Sequence, residues 1–427
     1  MAKKILLPLF TCCCLGLVAQ EFADVTEAAG LNFYSSLQRY GTVASVADIN
    51  GDGWLDIHLS TAHGERDHVY INRAGQGFEE KSLDLGLNLL GGSIASLWFD
   101  YNGDQLLDLL LLNSCKGIAP CEGKNVQLFQ QGIYGIFTEV TAAAGLEIFT
   151  TEHLQATKGG VAAGDLNLDG FLDIVVTHWG NGEIFVFINQ GDGTFRESGT
   201  ALGITGQNEN FFQPLIWDVD YDGDPDLYVN VDSELNRLYL NEHFSFTESA
   251  FNFGLHANNN EMGIAIGDIN NDQLFDLYMT NIDYEALFNF QTNTYNVLYQ
   301  AVEETGKIIY TNIAHSAGVK RGGWGWGTTF LDVNNDGLQD LAATNGVDNI
   351  NDQSKFWRNT NGSSFVDISD QVDFNDLLDG KTLVQLDYDQ DGDPDLLQTA
   401  NTYENQATSV RLLQNDCPTC GHYLQVR

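Results

Sequence analysis

Nine-residue stretches crowded with carboxylates recur seven times along this chain, and the spacing of their acids points to chemistry. They begin at Asp48 (DINGDGWLD), Asp100 (DYNGDQLLD), Asp165 (DLNLDGFLD), Asp218 (DVDYDGDPD), Asp268 (DINNDQLFD), Asp332 (DVNNDGLQD) and Asp387 (DYDQDGDPD). Counting from the first Asp, positions one, five and nine are Asp in every copy, and position three is Asn or Asp. The candidate ligands of the first three loops are Asp48, Asn50, Asp52 and Asp56; Asp100, Asn102, Asp104 and Asp108; Asp165, Asn167, Asp169 and Asp173. Those of the other four are Asp218, Asp220, Asp222 and Asp226; Asp268, Asn270, Asp272 and Asp276; Asp332, Asn334, Asp336 and Asp340; Asp387, Asp389, Asp391 and Asp395. At an effective dielectric near 20, two bare charges about 4 Å apart repel by roughly 4 kcal/mol, so converging carboxylates need a cation. Hard oxygen donors without His or Cys suit Ca2+ better than zinc or copper, and seven loops predict up to seven ions.

An EF-hand is excluded. That motif needs a bidentate Glu at position twelve, where these loops carry Leu59, Leu111, Val176, Val229, Met279, Ala343 and Gln398. The position-nine Asp must close each site instead. Side chains at position seven, such as Trp54 and Phe171, are too varied to be ligands, so the backbone carbonyl is the expected donor there. Glycine at position six permits the tight coil, but Gln105 and Gln273 replace it in the second and fifth loops. Clusters of Asp, Asn and Gly also build ordinary turns without metal. Turns accept many residue types, however, and do not explain Asp at three fixed positions in all seven copies.

The elements that must hold these loops are short strands. Thr42–Ala47 precedes the first loop and the alternating Leu55–Ser60 follows it, both of strand length. In the second repeat LLDLLLLN is apolar nearly throughout, as in a strand buried on both faces. A third segment follows each loop (HVYINR, NVQLFQQ, EIFVFINQ, NRLYLNE, NVLYQAV, SKFWRNT and SVRLLQN). A fourth phrase, such as Phe78–Leu87, Phe137–Leu146 or Phe195–Ile204, begins with an aromatic residue and usually ends near a glycine. Four short strands per repeat make a propeller blade. The seventh loop lacks a fourth phrase, and an extra copy, FADVTEAAGL, stands at Phe22–Leu31. A ring whose last blade borrows its outer strand from the N-terminus accounts for both facts. The expected fold is therefore an all-β, seven-bladed propeller over residues 21–415, closed by an N-terminal strand.

With 19 Lys+Arg against 59 Asp+Glu the net charge is −40, which disfavours nucleic acid and anionic membranes as partners. Residues 1–20 read as an export signal: Lys3 and Lys4 precede an apolar run from Ile5 to Val18, too short to span a bilayer comfortably. Acylation at Cys12 is the alternative reading. Cleavage leaves Cys115, Cys121, Cys417 and Cys420, for which an exported chain favours local disulfides Cys115–Cys121 and Cys417–Cys420. CPTC as a redox motif is the other possibility, but no thioredoxin-like βαβ pattern surrounds it.

The pattern D-x-[DN]-x-D-G-x-x-D, an LYxN-like strand and F-x-x-V-T-x-x-A-G-L together resemble the FG-GAP/VCBS repeat family, whose propellers also form the head of integrin α chains. MGIAIGDINNDQLFDLYMTNI and WGWGTTFLDVNNDGLQDLAATNG are similar, more narrowly, to the cartilage acidic protein group, whose propeller precedes an ASPIC/UnbV domain. Residues 416–427, ending GHYLQVR, resemble the truncated start of that domain. The resemblance implies a secreted or cell-surface, monomeric adhesion or protein-recognition module. Its calcium loops ring one face and leave the other for an extracellular protein or glycan. The long insertions Asn113–Lys124 and Asn281–Asn296, with THWGNG around Trp179 and KRGGWGWG around Trp324, are expected on that free face. A calcium-dependent lectin stacking sugars on Trp179, Trp324 or Tyr284 is the competing reading. An enzyme ranks third: the nine histidines are scattered, and a polysaccharide lyase would need an axial base such as Lys158 or Arg321.

Overall fold

Every position-nine Asp is the first residue of a strand, and the apolar run behind it is buried on both faces. These second strands are Asp56–Leu59, Asp108–Asn113, Asp173–His178, Asp226–Leu235, Asp276–Met279, Asp340–Asn345 and Asp395–Thr402. The structure is a computed structural model that describes residues 22–37, 42–90, 92–114, 125–146, 159–180, 183–206, 209–283, 294–347, 352–402 and 405–417. The strands form seven antiparallel sheets of four or five, each a blade running outward from an innermost to an outermost strand. Innermost strands of neighbouring blades lie side by side around an axis, and those of blades seven (Asp379–Leu386) and one (Ala44–Ala47) meet. The protein is a seven-bladed β-propeller, and the helices among the described residues, such as Gly199–Leu202, are single turns between blades.

The outermost strand of blade seven is Phe22–Asp24, paired antiparallel with Ala407–Asn415 in the register Phe22–Asn415, Ala23–Gln414 and Asp24–Leu413. Phe22 packs between Phe356 and Phe374, at ring distances of 5.7 and 6.4 Å, so N-terminal residues reach the core between blades six and seven. Two short strands go beyond the four-strand expectation. Ser35–Ser36 pairs with the third strand of blade seven, and Asn258–Asn260 pairs with the elongated second strand of blade four. The export segment, most of both long insertions, Tyr284, Lys158, three of the four remaining cysteines and residues 418–427 lie outside the described residues.

Packing follows from burial on both faces. Each pair of neighbouring blades encloses one apolar cluster; Trp217, Tyr228 and Leu238 of blade four, for example, meet Leu277, Met279 and Tyr299 of blade five. In six blades the outer phrase ends with a left-handed glycine against the next blade's outer strand, and blade six has Asp373 (φ 56°) at that place. A Cβ on Gly254 (φ 78°) would come 2.4 Å from the Tyr310 carbonyl oxygen, which only glycine avoids.

A belt of polar side chains also stitches the ring and was not anticipated from the sequence. Four residues after the position-nine Asp stand Ser60, Thr177, Asn230, Thr280, Thr344 and Thr399, each donating to a backbone carbonyl in, or two residues before, the next blade's inner strand. Thr399 reaches Thr42 of blade one at 2.9 Å, across the junction of last and first blades. Blade two carries Leu112 at this place. One polar residue at a constant offset inside an apolar strand was the signal available.

Candidate metal loops

The loops lie where innermost strands turn back into second strands, all at one end of the propeller. Their coil depends on two left-handed residues flanking position five. Position six has positive φ in all seven, including Gln105 (69°) and Gln273 (72°) where glycine is missing. Position four is also left-handed throughout: besides Gly51 and Gly103 it is Leu168, Tyr221, Asn271, Asn335 and Gln390, at φ 53–61°. The coil is thus kept at positions where L side chains strain it.

The turned backbone then solvates the first carboxylate. Asp48 accepts the N–H groups of Asp52 and Gly53 at 2.9 and 2.8 Å, and Asp165, Asp218, Asp268 and Asp332 repeat the arrangement. Asp100 accepts Gln105 N–H equally well, at 2.8 Å. The position-nine carboxylates are fully buried and accept two backbone N–H groups each. Asp56 takes Ile49 N–H of its own loop at 3.0 Å and Asn72 N–H of the third strand at 2.8 Å. Burial pushes Asp56, Asp108, Asp173, Asp226, Asp276 and Asp340 up to about 7, and Asp395 to about 8, against the lowering effect of those N–H groups. Position nine therefore latches loop to blade as well as facing the ligand set.

Position three divides the loops into two kinds. Asn50, Asn102, Asn167, Asn270 and Asn334 each donate an amide proton to the position-five carboxylate at 2.9–3.1 Å. Asp220 and Asp389 have no proton to give. In the fourth loop, oxygens of Asp218, Asp220 and Asp222 converge within 4.8 Å of one another; in the seventh, those of Asp387, Asp389 and Asp395 do so. Asp220 Oδ1 and Asp387 Oδ1 are buried without a hydrogen-bond partner. Burial and then the neighbouring acids raise the Asp220 carboxyl, and they push Asp387 up to about 6. A buried carboxylate oxygen facing other carboxylates is the environment a hard divalent cation satisfies. The donors fit Ca2+. Its double charge would neutralise the acids, the ion doing in loops four and seven what the Asn amide proton does for the position-five carboxylate in the five other loops.

At the other end, residues four to six before each first Asp line an axial cavity of 290 Å3 to which all seven blades contribute. At roughly 3.3 Å per residue this mouth stands about 13–20 Å from the loops. Lys381 is buried there, paired with Asp379, its Nζ 4.0 Å above the Trp326 ring. Of the aromatics expected on this face, Trp179 is half-buried and donates to Asp232 at 2.8 Å, and Trp324 is half-buried beside Asp352. Arg321 is engaged by both oxygens of Asp283, at 2.7 and 3.0 Å.

Comparison with known families agrees with this geometry: the FG-GAP-like repeat profile matches residues 48–111, 165–229 and 218–279. The chain carries FG-GAP-like repeats. Each matched span starts at the first Asp of a loop and includes the strand behind it, so the repeat is the loop-and-hairpin unit described above. No functionally curated protein matches this FG-GAP-repeat propeller at a significant level. Among solved structures, BBS1N in complex with ARL6DN is similar at a TM-score of 0.50 and 10% identity, over 92% of this chain and 97% of that one. An Agrocybe aegerita lectin recognising non-reducing terminal N-acetylglucosamine aligns at 0.46 and 16%, over 77% and 79%. The V. cholerae biofilm matrix protein Bap1 aligns at 0.39 and 12%, over 90% and 89%. At these identities the likeness concerns fold alone. These matches do not confirm the narrower cartilage acidic protein group. No helix of the described residues is long and apolar enough to cross a membrane.

Proposed function

We propose that this chain is a calcium-binding recognition propeller acting outside the cytoplasm, with ions in up to seven loops stiffening one end and the other end taking a protein partner. The observation that carries the calcium reading is the pair of buried, unpartnered oxygens, Asp220 Oδ1 and Asp387 Oδ1, each facing two further carboxylates. Binding is favoured over catalysis because the loop carboxylates serve coil and metal, and Arg321 is held by Asp283. FG-GAP-like repeats and the apolar segment at residues 5–18 support an extracytoplasmic setting.

Melting of the purified chain in excess CaCl2 and in EDTA tests the first half. A site held at one hundred times its Kd adds roughly 2.7 kcal/mol, so a large drop in chelator is expected; identical melting curves refute it. Capture from the parent organism's surface material tests the second half. A protein partner is lost on protease treatment, whereas survival of capture after protease, with loss on glycan removal, replaces this reading with a lectin.

A further inference from the structure

The third strand of six blades carries a buried amide at one place: Asn72, Gln131, Asn189, Asn241, Asn359 and Asn415. Each donates its side-chain amide across the blade junction to the carbonyl at position two of the preceding blade's loop. Asn72 reaches Tyr388 of loop seven, Gln131 reaches Ile49 of loop one, and Asn189 reaches Tyr101 of loop two. Asn241 reaches Leu166, Asn359 reaches Ile269 and Asn415 reaches Val333; all six bonds are 2.8 or 2.9 Å.

Position two lies between the ligand side chains at positions one and three, and its own N–H goes to the position-nine Asp, as Ile49 N–H goes to Asp56. Holding its carbonyl from behind fixes the peptide that sets the spacing of three ligands. The same strand residue gives its backbone N–H to the position-nine Asp of its own blade, as Gln131 does to Asp108 at 2.8 Å. One residue thus touches two loops, the neighbour's through its side chain and its own through its backbone. The circuit has one gap. Blade five has Ala301 at this place, which gives its N–H to Asp276 but has no amide to offer Val219 of loop four.

We propose that these third-strand amides are positioning residues for the calcium loop of the preceding blade, so that metal sites are coupled in neighbouring pairs, with loop four set apart from loop five. The proposal rests on the calcium reading above. Ligands held by their supporting shell bind metal more tightly than ligands that must be ordered on binding, and a lost tether also leaves a buried carbonyl without its donor.

Loop one offers a site-specific readout because Trp54 stands at its position seven. Tb3+ is titrated into the calcium-free chain, and the part of the tryptophan-sensitised emission abolished by Trp54→Phe reports that loop. Gln131→Met keeps the side chain's bulk and removes the donor, and is expected to raise the Tb3+ midpoint about tenfold, corresponding to 1.4 kcal/mol. Gln131→Asn, the residue used by five other blades, should restore it to within about twofold. Asn189→Leu removes the matching bond to loop two and should leave the loop-one midpoint unchanged. Equal shifts in Gln131→Met and Asn189→Leu, or none in Gln131→Met, overturn the proposal. Absence of any Trp54-dependent signal in the unaltered chain overturns the calcium reading instead.

Discussion

Replacing Asp220 by Asn gives the fourth loop the position-three residue of five others, and calcium should remove most of the stability the change brings. Asp220 is half-buried, with Oδ1 unpartnered among the oxygens of Asp218 and Asp222. Two charges at about 4 Å repel by roughly 4 kcal/mol at an effective dielectric near 20, and solvent screening at a half-buried site brings this to about 1–2 kcal/mol. The Asn amide would also donate to Asp222, as Asn50 does to Asp52 at 3.0 Å, contributing about 1 kcal/mol more. Without calcium the variant should therefore be the more stable by about 2 kcal/mol, a rise in Tm of a few degrees. With calcium it loses a charged ligand, and a tenfold weaker site forfeits about 1.4 kcal/mol of linkage stabilisation. Paired thermal melts in EDTA and CaCl2 at neutral pH, with a calcium titration, would measure both arms. A lower Tm in EDTA refutes the repulsion argument; an unchanged calcium increment removes Asp220 from the ligand set.

Three further outcomes follow from the same geometry. Glu261 is fully buried between Asn236 and Asn259, and burial pushes it up to about 7 from the ordinary 4.5. The folded state then holds a proton that the unfolded chain releases near 4.5, so this group's contribution falls as pH rises from 4.5 to 7; Glu261→Gln should flatten that part of the stability–pH curve, and an identical slope in both proteins contradicts it. Gln105→Gly and Gln273→Gly should each stabilise by about 1 kcal/mol in chemical denaturation, because both positions are left-handed, and destabilisation by either would show that the Gln side chain contributes more than its strain costs. Deleting residues 21–33 removes Phe22–Asp24 and exposes the edge of Ala407–Asn415, giving an aggregation-prone protein by light scattering; a monomer of native stability would mean that blade seven needs no fourth strand from the N-terminus.

Much of the architecture was legible because it is local and repeated. Seven acid patterns count the blades, apolar runs behind the ninth position mark strands packed on both sides, and the displaced phrase at Phe22–Leu31 identifies the residues found beside Ala407–Asn415. The difference between Asp and Asn at position three was equally plain, since a lost amide proton is a property of the residue itself. Neighbours across the ring decided the rest. Leu168 and Tyr221 carry no mark of left-handed backbone, yet the coil around the first Asp puts them there. Asn72 reads as an ordinary polar residue at a strand end until the ring brings it to Tyr388, 316 residues away, where its amide becomes the donor for a loop it does not belong to. Ala301 leaves a gap only because five asparagines and a glutamine occupy the same place in other blades. A sequence displays which groups can donate or accept; which buried oxygen is left without a partner depends on what the next blade places against it.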